Sequence, residues 1–272
     1  MRLPFTSSEF FQVFADYNET VWPAQILLLL VALVATALMF SRARWSDTLI
    51  SALLAALWLW MGLVYHLSFF AGINPLAYAF AVLSLAGAAA FCWHGLHLKR
   101  LAFRWQGSGW NVAGLLLVVF SLAVYPVWIW QSGHAWPAVP TFGLPCPTTL
   151  FTIGMLAFML PPYPRSVLLA PLLWCAIGLQ AAFLLGVPPD LSLLAGGAVG
   201  GYKAGSAPRG VSAAILPSVI VGLLLWLIFA LFDAPVLGLF GGLAIGVWAL
   251  ISSVGLLIGA AIGGMIAPDR GR

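Results

Sequence analysis

The side chains able to do chemistry are few, and they gather near the ends of apolar segments. The stretch Phe142-Gly-Leu-Pro-Cys-Pro-Thr-Thr149 sets Cys146 between two prolines and ahead of a pair of hydroxyls. Proline suits the first helical position, where its missing N–H costs nothing, so Pro147 reads as the first residue of a helix and Cys146 as its cap. A thiol there meets the positive end of the helix dipole, which favours a thiolate or a bound anion. Thr148 and Thr149 could satisfy amide donors of the first turn. The plainer reading is a helix start that tolerates a cysteine. Tyr65 and His66 close an apolar run, and an imidazole there can hold a ligand, carry a proton or simply bond to a carbonyl. Asn74 before Pro75 is a turn and helix-start signal. His66 and Cys146 are also weak metal candidates. His94 and His97 could share a metal by spacing, but Lys99 and Arg100 follow at once, so a basic helix end is the simpler account. His134 reads as a solvated loop residue, and Cys92 and Cys175 as small buried hydrophobes.

What positions these groups is a chain made for lipid. Only 7% of the 272 residues are charged and 63% are apolar, with a mean hydropathy of +1.07. A soluble domain carries about 25% charged residues. Of the apolar runs at 22–40, 49–71, 75–95, 110–130, 147–160, 167–186, 191–202, 211–232 and 236–267, most reach the ~20 residues needed to cross a bilayer as a helix, while 191–202 is short and 236–267 long. Arg42 and Arg44, then Lys99, Arg100 and Arg104, then Arg165, then Lys203 and Arg209, then Arg270 and Arg272 fall in alternate connections. By the positive-inside rule these connections are cytoplasmic. The alternation holds if the short run 191–202 spans and the long run 236–267 crosses once. The expected fold is therefore an all-α, polytopic membrane bundle of about nine helices, N-terminus outside and C-terminus cytoplasmic, in the cell (inner) membrane.

Ahead of the first run, Phe10, Phe11, Phe14 and Tyr17 recur at helical spacing among Glu9, Gln12 and Asp16. That pattern is an amphipathic helix, either lying on the membrane face or packed as a cap over the bundle. Composition changes near Pro188-Pro189-Asp190, after which glycine dominates. The expected organisation is an interfacial segment at 1–21, a six-helix domain at 22–186 and a glycine-rich three-helix domain at 187–272. Gly197 and Gly201, and Gly255, Gly259 and Gly263, repeat at four-residue spacing, which lets helix backbones approach closely as in a glycine zipper. No internal repeat links the two halves.

Residues 10–185 resemble an uncharacterised bacterial integral membrane family, domain of unknown function 6064. The resemblance rests on Tyr17-Asn18, Val21-Trp22-Pro23-Ala24-Gln25, Tyr65-His66, Ile73-Asn74-Pro75, the Phe142–Thr149 stretch with Phe151-Thr152, and Pro171 to Trp174. Residues 191–267 are similar, more weakly, to small glycine-rich membrane domains. Neither resemblance implies an activity or a cofactor.

The apolar runs hold no Asp, Glu, Lys or Arg, which argues against a proton-coupled pump. There is no P-loop, no carboxylate pair and no metalloprotease-type histidine pair, and nothing supports an enzyme. In the expected topology Tyr65, His66, Asn74, Cys146, Thr148 and Thr149 form a polar, aromatic-walled cluster at the outer face. Three functions fit: a non-catalytic scaffold or accessory subunit, a passive or gated permease for a small neutral or anionic solute, and a thiol- or metal-handling protein using Cys146 and His66. The expected partners are membrane lipid, other membrane subunits or a second copy, and no nucleic acid.

Overall fold

A computed structural model of the chain describes residues 5–204, and these form helices and connections with no strand among them. Helix α1 spans Ser7–Val21 and α2 spans Ala24–Leu38, and the two meet at 88°. Four longer helices follow or intervene: α3 at Ser46–Gly72, α4 at Ala77–His97, α5 at Gly109–Gln131 and α7 at Arg165–Leu184. Each of these four is long and apolar enough to cross a membrane, and α1 with α2 makes a fifth if the bent pair counts as one. Two short helices of 12 residues each complete the order, α6 at Pro145–Leu156 between α5 and α7, and α8 at Leu193–Ala204 after α7. The apolar runs at 147–160 and 191–202 thus become helices too short for the four-turn-plus crossing their hydropathy suggests. The runs at 211–232 and 236–267, with Gly255, Gly259 and Gly263, lie outside the described residues.

Each helix is there for a legible reason. Helix α1 opens with a capping box: Thr6 Oγ1 accepts from the Glu9 amide while the Glu9 carboxylate accepts from the Thr6 amide. Those bonds to its charged form hold the Glu9 carboxyl below the usual carboxylate range. Its Phe10, Phe14 and Tyr17 face is buried against Tyr65 and Phe70 of α3, while Glu9, Gln12, Asp16 and Glu19 are exposed. Of the two readings open for this segment, a cap packed over the bundle is the one adopted. Asn18 fastens it: its amide donates to the Pro137 and Val139 carbonyls at 2.6 and 2.7 Å, and its Oδ1 accepts from Thr141 Oγ1 at 2.7 Å.

Helix α6 is the axle. From Leu150 to Met159 every side chain is buried, because α3, α5, α7 and α8 pack around it. Its approach to α5 is backbone against backbone: a Cβ on Gly154 would sit 2.7 Å from the Gly114 carbonyl oxygen, and one on Gly114 equally close to that of Gly154. Small residues let helices come together at such distances. On α8 the glycines in contact are Gly196 and Gly200, whose added Cβ atoms would meet Cys175 and Leu172 of α7. Gly197 and Gly201 are buried beside them.

The chain threads back and forth, so connections 41–45, 98–108 and 157–164 share one end. Here Arg104 forks onto Asp47, and Asp47 also accepts from the Phe103 amide at 2.9 Å. Lys203 donates to the Met159 carbonyl at 2.9 Å. All seven Lys and Arg among the described residues lie at this basic end. The opposite, aromatic end holds α1 and connections 73–76, 132–144 and 185–192.

Candidate functional site: a cavity at the aromatic end

A cavity of about 160 Å³ lies under α1, between the ends of α3, α5 and α7 and the start of α6. Its walls are largely aromatic, with Phe10, Phe14, Tyr65, Phe70, Phe80 and Trp174 among them. The polar groups come from His66, Asn74, Tyr125, Cys146, Trp174 and Asp190.

Local backbone irregularity aims several of these inward. Tyr65 and His66 sit in a π-helical stretch of α3, Met61–Phe69, where the wider turn shifts the side chains off the regular α-helical face. Such turns are frequent at functional sites. Gly143, at φ 103°, supplies the left-handed turn that swings the chain into α6, and it packs close to Tyr17 and Leu28, where a side chain would not fit. Helix α6 then begins at Pro145, with Leu144 as its cap.

That start corrects the expectation for the opening motif. Cys146 is the second residue of the helix, not its cap, and Pro147 the third. Two prolines in the first turn remove two amide donors, so the hydroxyls have little to satisfy there. Thr148 and Thr149 are fully buried and their Oγ1 atoms have no hydrogen-bond partner. Neither lines the cavity. The Cys146 thiol does, facing inward beside Gly178, not outward as a surface cap would.

His66 is wholly buried, 0% exposed, and neither ring nitrogen has a partner. It is boxed by rings instead, with centroids at 5.0 Å for Trp174, 5.2 Å for Tyr65 and 5.7 Å for Phe80. A carbonyl-satisfied histidine, the plain expectation, is not what forms. The Trp174 indole N–H is also buried; it faces the Cys146 sulfur without reaching a nitrogen or oxygen acceptor. Asn74 does act as a turn residue, its Oδ1 accepting from the Leu76 amide at 3.1 Å.

The groups that sequence reasoning passed over sit at the far wall. Asp190, in the connection between α7 and α8, is 1% exposed and accepts from the Tyr125 hydroxyl at 2.6 Å. Cys146 lies within hydrogen-bonding reach of the same carboxylate. Burial pushes the Asp190 carboxyl up to about 7, against the pull of the Tyr125 and Cys146 bonds. No carboxylate lies within an apolar run, as the sequence indicates, but a connection tucks one into the interior. The only sequence signal was an acid following two prolines, which marked a composition boundary.

Of the remaining residues, Asn18 and Gln25 are bonded to each other, and His134 is stacked on Phe11 at 3.9 Å instead of standing in solvent. Among the described residues no three of His, Cys, Asp and Glu stand close enough to hold a metal ion. His94 bonds through Nε2 to Ser166 at 2.8 Å.

The model of a family of unknown function, DUF6064, matches residues 7–208. The chain belongs to that family. The DUF6064 match runs past residue 186, so it takes in Asp190 and α8 together with the earlier helices and encloses almost the whole cavity wall. The break in composition near Pro188 is not an edge of the DUF6064 region. No curated protein and no solved structure matches the chain.

Proposed function

We propose that this is a multi-pass membrane protein that takes up a small molecule in its aromatic-end cavity, as a binding or permeation subunit. The observation that carries the reading is His66: a fully buried imidazole in a cavity wall, with both nitrogens unpartnered. An orphaned buried polar group costs about 1–3 kcal/mol. An inert scaffold has no use for that cost, whereas a ligand carrying a donor or acceptor would relieve it. Concave, mostly apolar sites with a few convergent polar groups are the usual form of small-molecule sites. A cavity of about 150 Å³ holds a molecule the size of benzene, which sets the scale of the solute.

The proposed setting is a chain that crosses the cell membrane nine times, N-terminus outside, the two 12-residue helices crossing inside the bundle and not against lipid, with the cavity toward the outer face. Reporters fused after residues 104, 165, 209 and 272 should then be cytoplasmic and those at 73, 134 and 189 external. The uptake itself is tested by melting the purified full chain in detergent with benzene-sized probes. A probe that raises Tm in the native protein should leave Ala181→Phe unmoved, since residue 181 lines the cavity. If no probe of this size shifts the native Tm, the reading fails.

A further inference from the structure

Resting on that reading, we infer that the molecule the cavity takes is a small organic ammonium ion, a protonated amine on a compact apolar body, held by Asp190 and the surrounding rings. A carboxylate buried at one wall, with Tyr125 donating to it, has no cation to answer it among the described residues. Every Lys and Arg among the described residues stands at the other end of the bundle, Arg104 with Asp47 and Lys203 with the Met159 carbonyl. A buried charge without a partner is strongly disfavoured, and none of the cations among the described residues completes an ion pair with Asp190.

The rest of the lining points the same way. Cations are attracted to the faces of Trp, Tyr and Phe within about 6 Å of the ring centre, and aromatic boxes are a recurrent solution for ammonium groups. Tyr65 and Tyr125 lie nearest the carboxylate, and Phe70, Phe80 and Trp174 continue the wall toward His66. His66, among apolar rings, offers two unpartnered ring nitrogens to a second polar group on the solute. An anion would meet the Asp190 carboxylate with no Lys or Arg nearby. A sugar or other polyol would need far more hydrogen-bonding partners than these walls supply. The groups facing Asp190 are Tyr125 from α5, Cys146 from α6 and Tyr65 from α3, and none of the three is cationic.

Three probes of nearly one shape separate the charge states: benzylamine, benzyl alcohol and benzoate, titrated calorimetrically into the full chain in detergent. Benzylamine should bind at least about tenfold more tightly than benzyl alcohol, and benzoate should not bind. Asp190→Asn should bring benzylamine to the level of benzyl alcohol while leaving the alcohol unchanged. Should that variant fail to fold, the native protein still decides. Between pH 8 and pH 6 benzylamine stays protonated while Asp190 titrates, so its affinity should fall about tenfold on acidification and that of benzyl alcohol should not change. Equal or tighter binding of benzyl alcohol or benzoate would overturn the ammonium assignment and leave the cavity as a neutral or anion site. A pH-independent benzylamine affinity would overturn it as well. Binding of none of the three would remove the assignment together with the uptake reading.

Discussion

At the basic end Asp47 accepts from Arg104 and from the Phe103 amide, and Lys203 reaches the Met159 carbonyl; at the aromatic end His66, Trp174, Thr148 and Thr149 are enclosed with polar atoms that bond to nothing. Both ends are built from the same helices and close over similar connections. The difference lies in what their polar groups are for. At the basic end the Asp47–Arg104 pair and the Phe103 amide satisfy one another, which ties α3 to the connection that leads into α5. At the aromatic end the fold leaves capacity unspent beside a cavity, and the one strong network there, around Asn18, serves to hold the cap in place.

Four substitutions would break or sharpen that contrast. The largest effect should come from Asn18→Ala, which strips connection 132–144 of three bonds to a fully buried anchor. A loss of about 2–4 kcal/mol is expected, read as a fall in Tm and as proteolytic release of α1. An unchanged melt would mean that the rings alone hold the cap. Asp47→Ala should cost less, about 1–3 kcal/mol, because the pair is partly exposed and screened. A loss of activity in ligand uptake with no loss of stability would contradict the division between the ends.

The next two should act with the opposite sign. His66→Phe replaces an unpartnered imidazole among rings and should stabilise the unliganded protein by about 1–2 kcal/mol, while abolishing the contact offered to a ligand. If it destabilises instead, the imidazole has a partner in solution and the contrast is weaker than drawn. Thr149→Val should stabilise by less than about 1 kcal/mol, since it exchanges an unbonded buried hydroxyl for a methyl of similar shape and leaves the cavity untouched. Asp190 adds a pH signature of its own. Its raised carboxyl binds a proton in the fold between about pH 4 and 7 where the unfolded chain does not, so its contribution to stability falls as pH rises through that window.

How much of this could be read beforehand follows from what hydropathy measures. Seven apolar runs coincide with α2 to α8 to within a few residues, because a helix that must satisfy its own backbone leaves a long apolar trace. The clustering of Tyr65, His66, Asn74 and Cys146 was also legible: helix ends that alternate must return to the same side, and all four line one cavity. Asp190 was not, since Pro188-Pro189-Asp190 is the composition of an exposed turn and only tertiary packing folds it inward. The cap at Cys146 was misplaced by one turn of logic, for with two prolines either could open the helix, and the chain starts at the first. Four-residue spacing cannot signal Gly114 and Gly154, which bring two helix backbones together as isolated residues far apart in sequence.

Helix α6 has one more consequence. Its 12 residues make about 18 Å, well short of a hydrocarbon layer of about 30 Å, while α3 with 27 residues exceeds it. A segment that short would be untenable against lipid, but α6 touches only protein, so the bilayer places no demand on its length. Hydrophobic mismatch in a thicker or thinner membrane would therefore be absorbed by tilt of the outer helices. The cavity wall at Pro145 to Pro147 is carried on a helix enclosed by the rest of the described protein, and in a membrane its dimensions should be the same in bilayers of short and of long acyl chains.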